Sequence, residues 1–296
     1  MQARHLGLAL LVILVWGVNF AVIKVGLTGV PPLLLAALRF LLAALPLTLF
    51  LRPPKVPLRL YLAFGLTMLI GQFAFLFTAL HVGMPSGLAS LVLQAQSFFT
   101  LALTVFWFKE KWHGRQLAGL LLAALGLMLI GSTHGASMPL AGFVLTVLAA
   151  LMWACGNIVS RAVGRHGPMN QLAFVVWASL VPPLPFLALS YVIEGPAAMT
   201  EALHSFSLSS LAAVVYIAWA STLFGSAAWN FLLSRYPVNR IAPFTLLVPL
   251  VGLSTGWLAM GEVLLPIHLI GGAMLMAGLL INLYGVPYLA RMRWKT

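Results

Sequence analysis

The sequence has very little acid and little charge of either sign. Its 296 residues include no Asp and only four Glu, and charged residues make up 7% of the chain against 62% hydrophobic residues. A soluble domain carries about 25% charged residues, so a surface that faces water on all sides is excluded. The sequence therefore predicts an all-α integral membrane protein, because open sheets leave backbone groups unpaired in lipid.

Cysteine and metal-binding patterns are scarce as well. The single Cys155 excludes an internal disulfide and a cysteine metal cluster, and we expect no metal and no cofactor. There is no His-Glu-x-x-His motif, and no histidine is expected at membrane depth opposite Ser86, so we do not expect an intramembrane enzyme. The formal net charge of +12 comes from basic residues scattered singly between apolar runs, which favours membrane orientation over nucleic-acid binding.

Long apolar runs are what the chain has in abundance. A helix needs about 20 residues to cross the hydrocarbon layer. The sequence predicts ten spans, at 5–26, 33–51, 60–80, 86–108, 115–132, 140–161, 171–192, 209–233, 240–260 and 266–287. Apart from Lys24 and Arg39, which fall inside spans, the basic residues precede the first span, follow the last or lie in alternate loops. Under the positive-inside rule, this pattern predicts a multi-pass inner-membrane protein with both termini in the cytoplasm.

Residues of the first half recur in the second half at fixed offsets. At an offset of 137 positions, Trp16, Lys24 and Pro46 recur as Trp153, Arg161 and Pro183. At an offset of 152 positions, Pro85, Glu110, Gly119 and Gly126 recur as Pro237, Glu262, Gly271 and Gly278. The offset changes in the loop 193–207, an insertion that we expect to face outward and to hold a short surface helix. Five spans per half is an odd number, so the second half enters the membrane from the opposite face.

The repeat predicts two inverted five-helix halves, 1–135 and 136–296, around a central cavity, an arrangement typical of secondary transporters. We expect Glu110 and Glu262 each to cap a loop or pair with a base. Pro46 and Pro183, expected near the middle of spans two and seven, are either hinges for a rocking motion or static bends. The small residues of spans five and ten predict packing seams, within each half or between protomers.

The recurring motifs point to a known family. They are Trp16-Gly-Val-Asn19-Phe with Lys24, Pro85-Ser-Gly-Leu-Ala-Ser90, Glu110-Lys111 followed by Gln116-Leu-Ala-Gly119, and the second-half copies Trp153 to Arg161 and Gly261-Glu262. In order and spacing they resemble the ten-span EamA-type members of the drug/metabolite transporter superfamily, over nearly the whole chain. Overall similarity is greatest to aromatic amino acid exporters of the YddG type. The resemblance implies spans one to four and six to nine around the cavity, with spans five and ten peripheral.

Polar and aromatic side chains inside spans are the candidates for binding substrate, because polar groups in lipid are costly. The predicted substrate-binding residues are Trp16, Asn19, Lys24, Arg39, Gln72, Gln94, Gln96, Trp153, Asn157, Trp177 and Asn230. Asn19 and Asn157 either face each other and bind an amino or carboxyl group, or bond neighbouring helices. Gln94 and Gln96 lie about 200° apart on a helix, so one is expected to point inward while the other bridges helices.

The two bases inside spans carry separate alternatives. Lys24 either contributes to the site or extends outward to the interface. Arg39 either attracts a carboxylate or phosphate, or holds backbone carbonyls as a structural clamp. A base in the cavity favours anionic or zwitterionic substrates over bare cations.

The predicted function is export of small metabolites, above all amino acids including aromatic ones, by alternating access. No carboxylate lies clearly inside a span, so we expect facilitated diffusion or exchange rather than proton antiport. The alternatives are a drug or cation efflux carrier of the same superfamily and a passive channel or lipid scramblase. The expected partners are the bilayer and a small solute, without nucleic acid, for a monomer or homodimer.

Overall fold

Long hydrophobic helices make up the part of the chain that the computed structural model describes, residues 1–108, 114–135 and 137–284. We number them α1 to α10 in chain order. They are Ala3–Gly26, Pro32–Thr48, Leu58–His81, Ser86–Trp107, Gly114–Gly131, Leu140–Gly164, Gln171–Glu194, Leu208–Arg235, Pro243–Met260 and Pro266–Tyr284. Each predicted span coincides with one of them. Eight are long and apolar enough to cross a membrane, whereas Pro32–Thr48 of α2 and Pro266–Asn282 of α10 are shorter apolar segments.

The long connection between α7 and α8 holds a further short helix, Pro196–His204, which we call the connecting helix. Its Ala202 is buried and its Glu201 is exposed, as expected for a helix that rests on the bundle. The prediction of a short helix in the insertion 193–207 is therefore confirmed. Gly195 precedes it with φ of 89°, a left-handed backbone angle that glycine adopts without steric cost.

The bundle has two distinguishable ends. The distal end is where α1 finishes; there Lys24 contacts Glu262, and Leu33 contacts Glu194. The terminal end carries the amino terminus, where the Gln2 N–H donates to the hydroxyl oxygen of Tyr236 at 3.2 Å. These contacts place the loops 27–31, 193–207 and 261–265 together at the distal end.

Four helices leave regular α geometry at positions that correspond in the repeat. α3 and α8 contain π-helical segments at Gly65–Gly71 and Tyr216–Phe224. α4 and α9 contain 3₁₀ segments at Leu93–Ala95 and Ala242–Leu247. Shifting either first-half segment by 152 positions places it inside its second-half counterpart. Such segments often mark functional positions in helices. The two halves share these four segments, whereas the break at 179–182 and the π-helical segment Ser190–Glu194 of α7 have no counterpart in α2.

The prolines predicted as hinges occupy unlike positions. Pro183 begins the second part of α7, after a break at 179–182, where its missing N–H costs no helical hydrogen bond. Pro46 lies in the last turn of α2, which ends at Thr48. The expectation that both lie near the middle of their helices was therefore wrong for Pro46, because α2 ends earlier than the apolar run does.

The small residues of α5 and α10 form a seam that joins the two halves of one chain. A Cβ on Gly119 would lie 2.7 Å from the carbonyl oxygen of Gly278, and one on Gly271 would lie 2.7 Å from that of Gly126. The prediction of a packing seam is confirmed, but its placement within each half or between protomers was wrong. The offset of 152 positions relates 119 to 271 and 126 to 278, so the contact 119–278 has the contact 271–126 as its counterpart. The two helices therefore cross antiparallel about a local pseudo-two-fold axis.

Candidate functional site

The counterpart helices α4 and α9 meet in the interior, where each contains a 3₁₀ segment. The two helices approach closely, because a Cβ on Gly87 would lie 3.0 Å from the Cα of Leu253. Further along, the Nε2 of Gln94 donates to the carbonyl oxygen of Thr245 at 3.3 Å. Gln94 lies in the 3₁₀ segment of α4, and Thr245 lies in that of α9. The contact therefore joins equivalent segments of the two halves, and the Thr245 carbonyl that accepts it also accepts the backbone N–H of Val248.

A polar cluster flanks this contact on the side of α6. The Nδ2 of Asn157 donates to the Oε1 of Gln96 at 2.8 Å and to the hydroxyl of Thr100 at 3.0 Å, both on α4. The Nε2 of Gln96 also donates to the hydroxyl of Ser97 at 3.0 Å. Asn157, Gln96 and Thr100 are half-buried, so part of each side chain stays exposed beside the contact. Gln94 and Gln96 thus bridge α4 to two different helices, α9 and α6.

An aromatic pair lies where α1 meets α8. The indole N–H of Trp16 donates to the carbonyl oxygen of Ser221 at 3.0 Å, within the π-helical segment. The ring centroids of Trp16 and Trp229 are 5.4 Å apart. A Cβ at position 225 would collide with the Trp16 indole, so Gly225 makes room for this ring. The arrangement provides aromatic surface within the bundle.

Arg39 is buried between α2, α3 and α8. Its Nε and Nη2 donate to the hydroxyl oxygen of Thr222 at 3.2 and 2.9 Å. The Thr222 hydroxyl itself donates to the carbonyl oxygen of Ile217 at 2.7 Å, across the π-helical turn. The guanidinium carbon lies 3.9 Å from the centroid of the Phe73 ring, a distance typical of a cation–π contact. The Arg39 side chain therefore ties together three helices without using a carboxylate.

The remaining predicted polar residues are dispersed. Asn19 is 7% exposed and its Oδ1 has no hydrogen-bond partner, whereas the Asn157 amide bonds to α4; the structure does not join the two asparagines through these groups. Gln72 is buried directly after the π-helical segment of α3. Trp153 packs half-buried against the core, and Asn230 is half-buried on α8.

Trp177 lies away from these groups, near the terminal end. Its indole N–H donates to the carbonyl oxygen of Leu51 at 2.8 Å, after the end of α2. It lines an apolar groove of about 900 Å³ together with Tyr61 and Leu184. The structure therefore does not bring Trp177 together with Trp16 or Asn157.

Lys24 belongs to a charged contact at the distal end. Its Nζ lies 2.9 Å from the Oε1 of Glu262, and the Glu262 carboxylate also accepts the backbone N–H of Ser86 at 2.6 Å and of Gly87 at 2.9 Å. Burial opposes ionisation, but the bonds from Gly87, Lys24 and Ser86 outweigh it, so the pKa of Glu262 lies below its ordinary value. Glu262 thus pairs with a base, as expected, and it caps the start of the helix α4 rather than a loop.

A second carboxylate cap was missed by the sequence reasoning. The Oε1 of Glu194, at the end of α7, accepts the backbone N–H of Leu33 at 2.7 Å, and its Oε2 accepts that of Leu34 at 3.3 Å and the hydroxyl of Ser190 at 2.5 Å. Two features of the sequence could have indicated it. Glu194 is expected at the same end of the bundle as the start of α2, and α2 begins with prolines, which supply no side-chain cap. The repeat counterpart of Glu262, Glu110, lies outside the described residues.

Comparison with known proteins identifies the family. The model of the EamA-like transporter family matches the chain twice, over residues 4–132 and 140–284. The chain belongs to the EamA-like transporter family. The duplicated match agrees with the paired irregular segments described above.

Relatives extend over almost the full length. A "Probable amino-acid metabolite efflux pump" of Salmonella typhimurium is 49% identical over 281 residues, covering 94% of each chain. A protein of the same name in Escherichia coli is 45% identical over 291 residues, covering 97% of this chain and 95% of the relative. A solved crystal structure shares the fold at a TM-score of 0.63 and 19% identity, covering 100% of both chains.

Proposed function

We propose that this EamA-like transporter exports amino acids and related small metabolites, including aromatic amino acids, by alternating access across the inner membrane. The observation that carries the proposal is the contact between Gln94 and Thr245, at which the counterpart 3₁₀ segments of α4 and α9 meet beside the Asn157–Gln96–Thr100 cluster. Secondary transporters place solute sites at the interface between repeats, on interrupted helices. The efflux pumps to which the chain is 45% and 49% identical support the substrate class.

The proposed architecture is two inverted repeats, 1–135 and 136–296, with all ten helices crossing the membrane and both termini cytoplasmic. The self-complementary crossing of α5 and α10 supports the inversion, since it relates Gly119 and Gly278 to Gly271 and Gly126. Reporter fusions at the two termini test the topology, and reporters on opposite sides contradict it. The transporter acts as a monomer or homodimer without a cofactor.

Counterflow into proteoliposomes tests the function. Liposomes that contain purified protein and unlabelled phenylalanine, tyrosine or tryptophan are expected to accumulate the labelled amino acid transiently and saturably. Linear flux without counterflow identifies a channel or scramblase instead. Counterflow of organic cations but of no amino acid identifies a drug or cation carrier.

A matched pair of variants tests the site. Asn157→Ala removes the donor to Gln96 and Thr100, and we expect it to raise KM or lower the rate about tenfold, the equivalent of one hydrogen bond. Ser132→Ala removes an exposed hydroxyl and is expected to leave transport unchanged. Unaltered transport by Asn157→Ala removes this residue from the proposed site without touching the proposed function.

A further inference from the structure

Two polar atoms deep in the bundle lack hydrogen-bond partners within the residues that the structure describes. They are the Nη1 of Arg39, a residue 4% exposed, and the Oδ1 of Asn19, a residue 7% exposed. One is a cationic donor and the other is a neutral acceptor. A third such atom, the hydroxyl of Ser86, lies next to the Glu262 cap at the distal end.

Asn19 and Arg39 lie on helices that meet near the distal end of the bundle. A Cβ on Gly26 would lie 3.1 Å from the Leu35 side chain and 3.3 Å from the Cβ of Ala213, so α1, α2 and α8 meet at that point. Asn19 precedes Gly26 by seven residues, two helical turns, and Arg39 follows Leu35 by four residues, about one turn. Because α1 and α2 run in opposite directions, both residues lie on the interior side of this contact.

The charge of Arg39 is retained in the interior without a counter-ion. Its guanidinium contacts are the Thr222 hydroxyl and aromatic rings, among them Phe73, and none within the described ranges is a carboxylate. Glu262 is occupied by Lys24, and Glu194 by the first turn of α2. A buried charge left unpaired is destabilising, and charged groups at membrane depth usually mark solute paths.

We propose that Arg39 and Asn19 form the subsite for the charged backbone of an amino acid. The Nη1 of Arg39 donates to the substrate carboxylate, and the Oδ1 of Asn19 accepts from the substrate ammonium group. This inference rests on the proposed export of amino acids and adds the groups that recognise them. The two atoms are buried, so this structure holds the subsite closed, with the π-helical segment of α8 as its third wall through Thr222.

The chemistry makes the subsite selective for zwitterions. A carboxyl amide offers Arg39 no anion, and a carboxylate without an amino group leaves the Asn19 oxygen unpartnered. Both analogues are expected to bind at least tenfold more weakly than the amino acid. A bare organic cation is rejected because it is brought against the guanidinium.

The first test uses the unaltered protein. Counterflow of labelled phenylalanine is measured against increasing phenylalanine, phenylalanine amide and 3-phenylpropionate. The expected result is inhibition by phenylalanine at least tenfold stronger than by either analogue. Equal inhibition by the amide overturns the role of Arg39, and equal inhibition by 3-phenylpropionate overturns that of Asn19. Absence of counterflow for every amino acid tested contradicts the proposed function itself.

Substitutions separate binding from a structural clamp. Arg39→Met is expected to raise the KM for phenylalanine at least tenfold while the melting temperature in detergent stays the same or rises, because an apolar side chain replaces an unpaired buried charge. Arg39→Lys keeps the charge and is expected to recover part of the affinity. The control Arg52→Gln removes an exposed arginine and is expected to keep KM within twofold.

The opposite pattern overturns the inference. A marked fall in the melting temperature of Arg39→Met with an unchanged KM identifies a clamp between α2 and α8. Asn19→Leu supplies an independent check, since it is expected to bring the inhibition constants of phenylalanine and 3-phenylpropionate together. A variant that still discriminates between them as the unaltered protein does excludes Asn19 from the subsite.

Discussion

α2 and α7 are counterparts in the repeat, and they differ in chemistry. α2 carries the buried Arg39, whereas the corresponding position of α7, 137 residues later, is Val176. α7 begins at its own cap, because the side chain of Asn170 accepts the N–H of Ala173 at 3.2 Å. α2 has no such residue and takes its cap from Glu194, at the far end of α7. The buried charge and the cap supplied by another helix are therefore features of α2 that α7 lacks.

The irregular segments of the next two helices in each half behave differently, since both halves keep them, whereas the break at 179–182 and the π-helical segment Ser190–Glu194 occur in α7 and not in α2. The π-helical segments of α3 and α8 correspond in the repeat, as do the 3₁₀ segments of α4 and α9. A motion that exposes one site alternately to two sides requires similar flexible points in both halves. A solute such as an amino acid has no two-fold symmetry, so its binding groups need not be duplicated. Under the proposed alternating access, the difference is that the two halves keep their symmetry in the segments that would move and lose it in the groups that would bind the substrate.

The glycine seam provides the largest expected effect and the sharpest test of the shared symmetry. We expect Gly119→Ala and its counterpart Gly271→Ala to destabilise the protein equally, each by about 3 kcal/mol, because overpacking against a backbone carbonyl cannot relax through a side chain. In both cases the added Cβ would lie 2.7 Å from the opposing carbonyl oxygen. Thermal unfolding in detergent measures the loss.

The control for the seam is Gly7→Ala, at an exposed position of α1 where a Cβ meets nothing within 4 Å. It is expected to be neutral or stabilising by up to about 1 kcal/mol through helix propensity. Markedly unequal losses for Gly119→Ala and Gly271→Ala break the symmetry argument.

Loss of the Glu262 cap is expected to destabilise the protein somewhat less than the glycine substitutions in the seam. Glu262→Gln removes the ion pair with Lys24 and weakens the bonds from Ser86 and Gly87, so we expect a loss of about 2 kcal/mol. The folded-state pKa of Glu262 lies below the ordinary value of 4.5, so its contribution is fully present above pH 4.5 and is lost as pH falls through the lower folded value. Melting temperatures of the two proteins should therefore differ at neutral pH and converge in acid.

Glu201→Gln is the control for this carboxylate, because Glu201 is exposed on the connecting helix. Its melting curve is expected to follow that of the unaltered protein at every pH. A difference between Glu262→Gln and the unaltered protein that grows as pH falls contradicts the depressed pKa. The same melting curves for Glu110→Gln, at the repeat counterpart of Glu262, show whether a carboxylate stabilises the corresponding position of the first half.

Much of the helix pattern was predictable, because apolar runs of membrane length are bounded by basic or turn residues. The Glu262 cap was predictable in kind, from an acid that recurs at a helix connection. The partners of Arg39 were not, since Thr222 lies 183 positions away and no local pattern brings α2 to α8. The joining of the halves through α5 and α10 was missed for a similar reason, as small residues predict close packing without naming the partner helix.

The irregular segments were also beyond the sequence reasoning. The 3₁₀ segment of α9 contains Pro243, but the counterpart segment of α4, Leu93–Ala95, contains no proline or glycine. The π-helical segment of α8 likewise follows from contacts, with Trp16 and Arg39 bonded to its Ser221 and Thr222. Tertiary packing rather than local propensity determines these positions.

The borrowed cap gives the smallest expected effect, and it tests the difference between α2 and α7 directly. Glu194→Gln should cost about 1 kcal/mol, as for loss of a helix cap, and hydrogen exchange should accelerate at the Leu33 and Leu34 amides that the carboxylate accepts. Asn170→Ala should accelerate exchange at Ala173 and leave Leu33 unchanged. If either variant affects both helix starts alike, α2 and α7 are capped by a shared device, and the contrast between the two halves fails at this point.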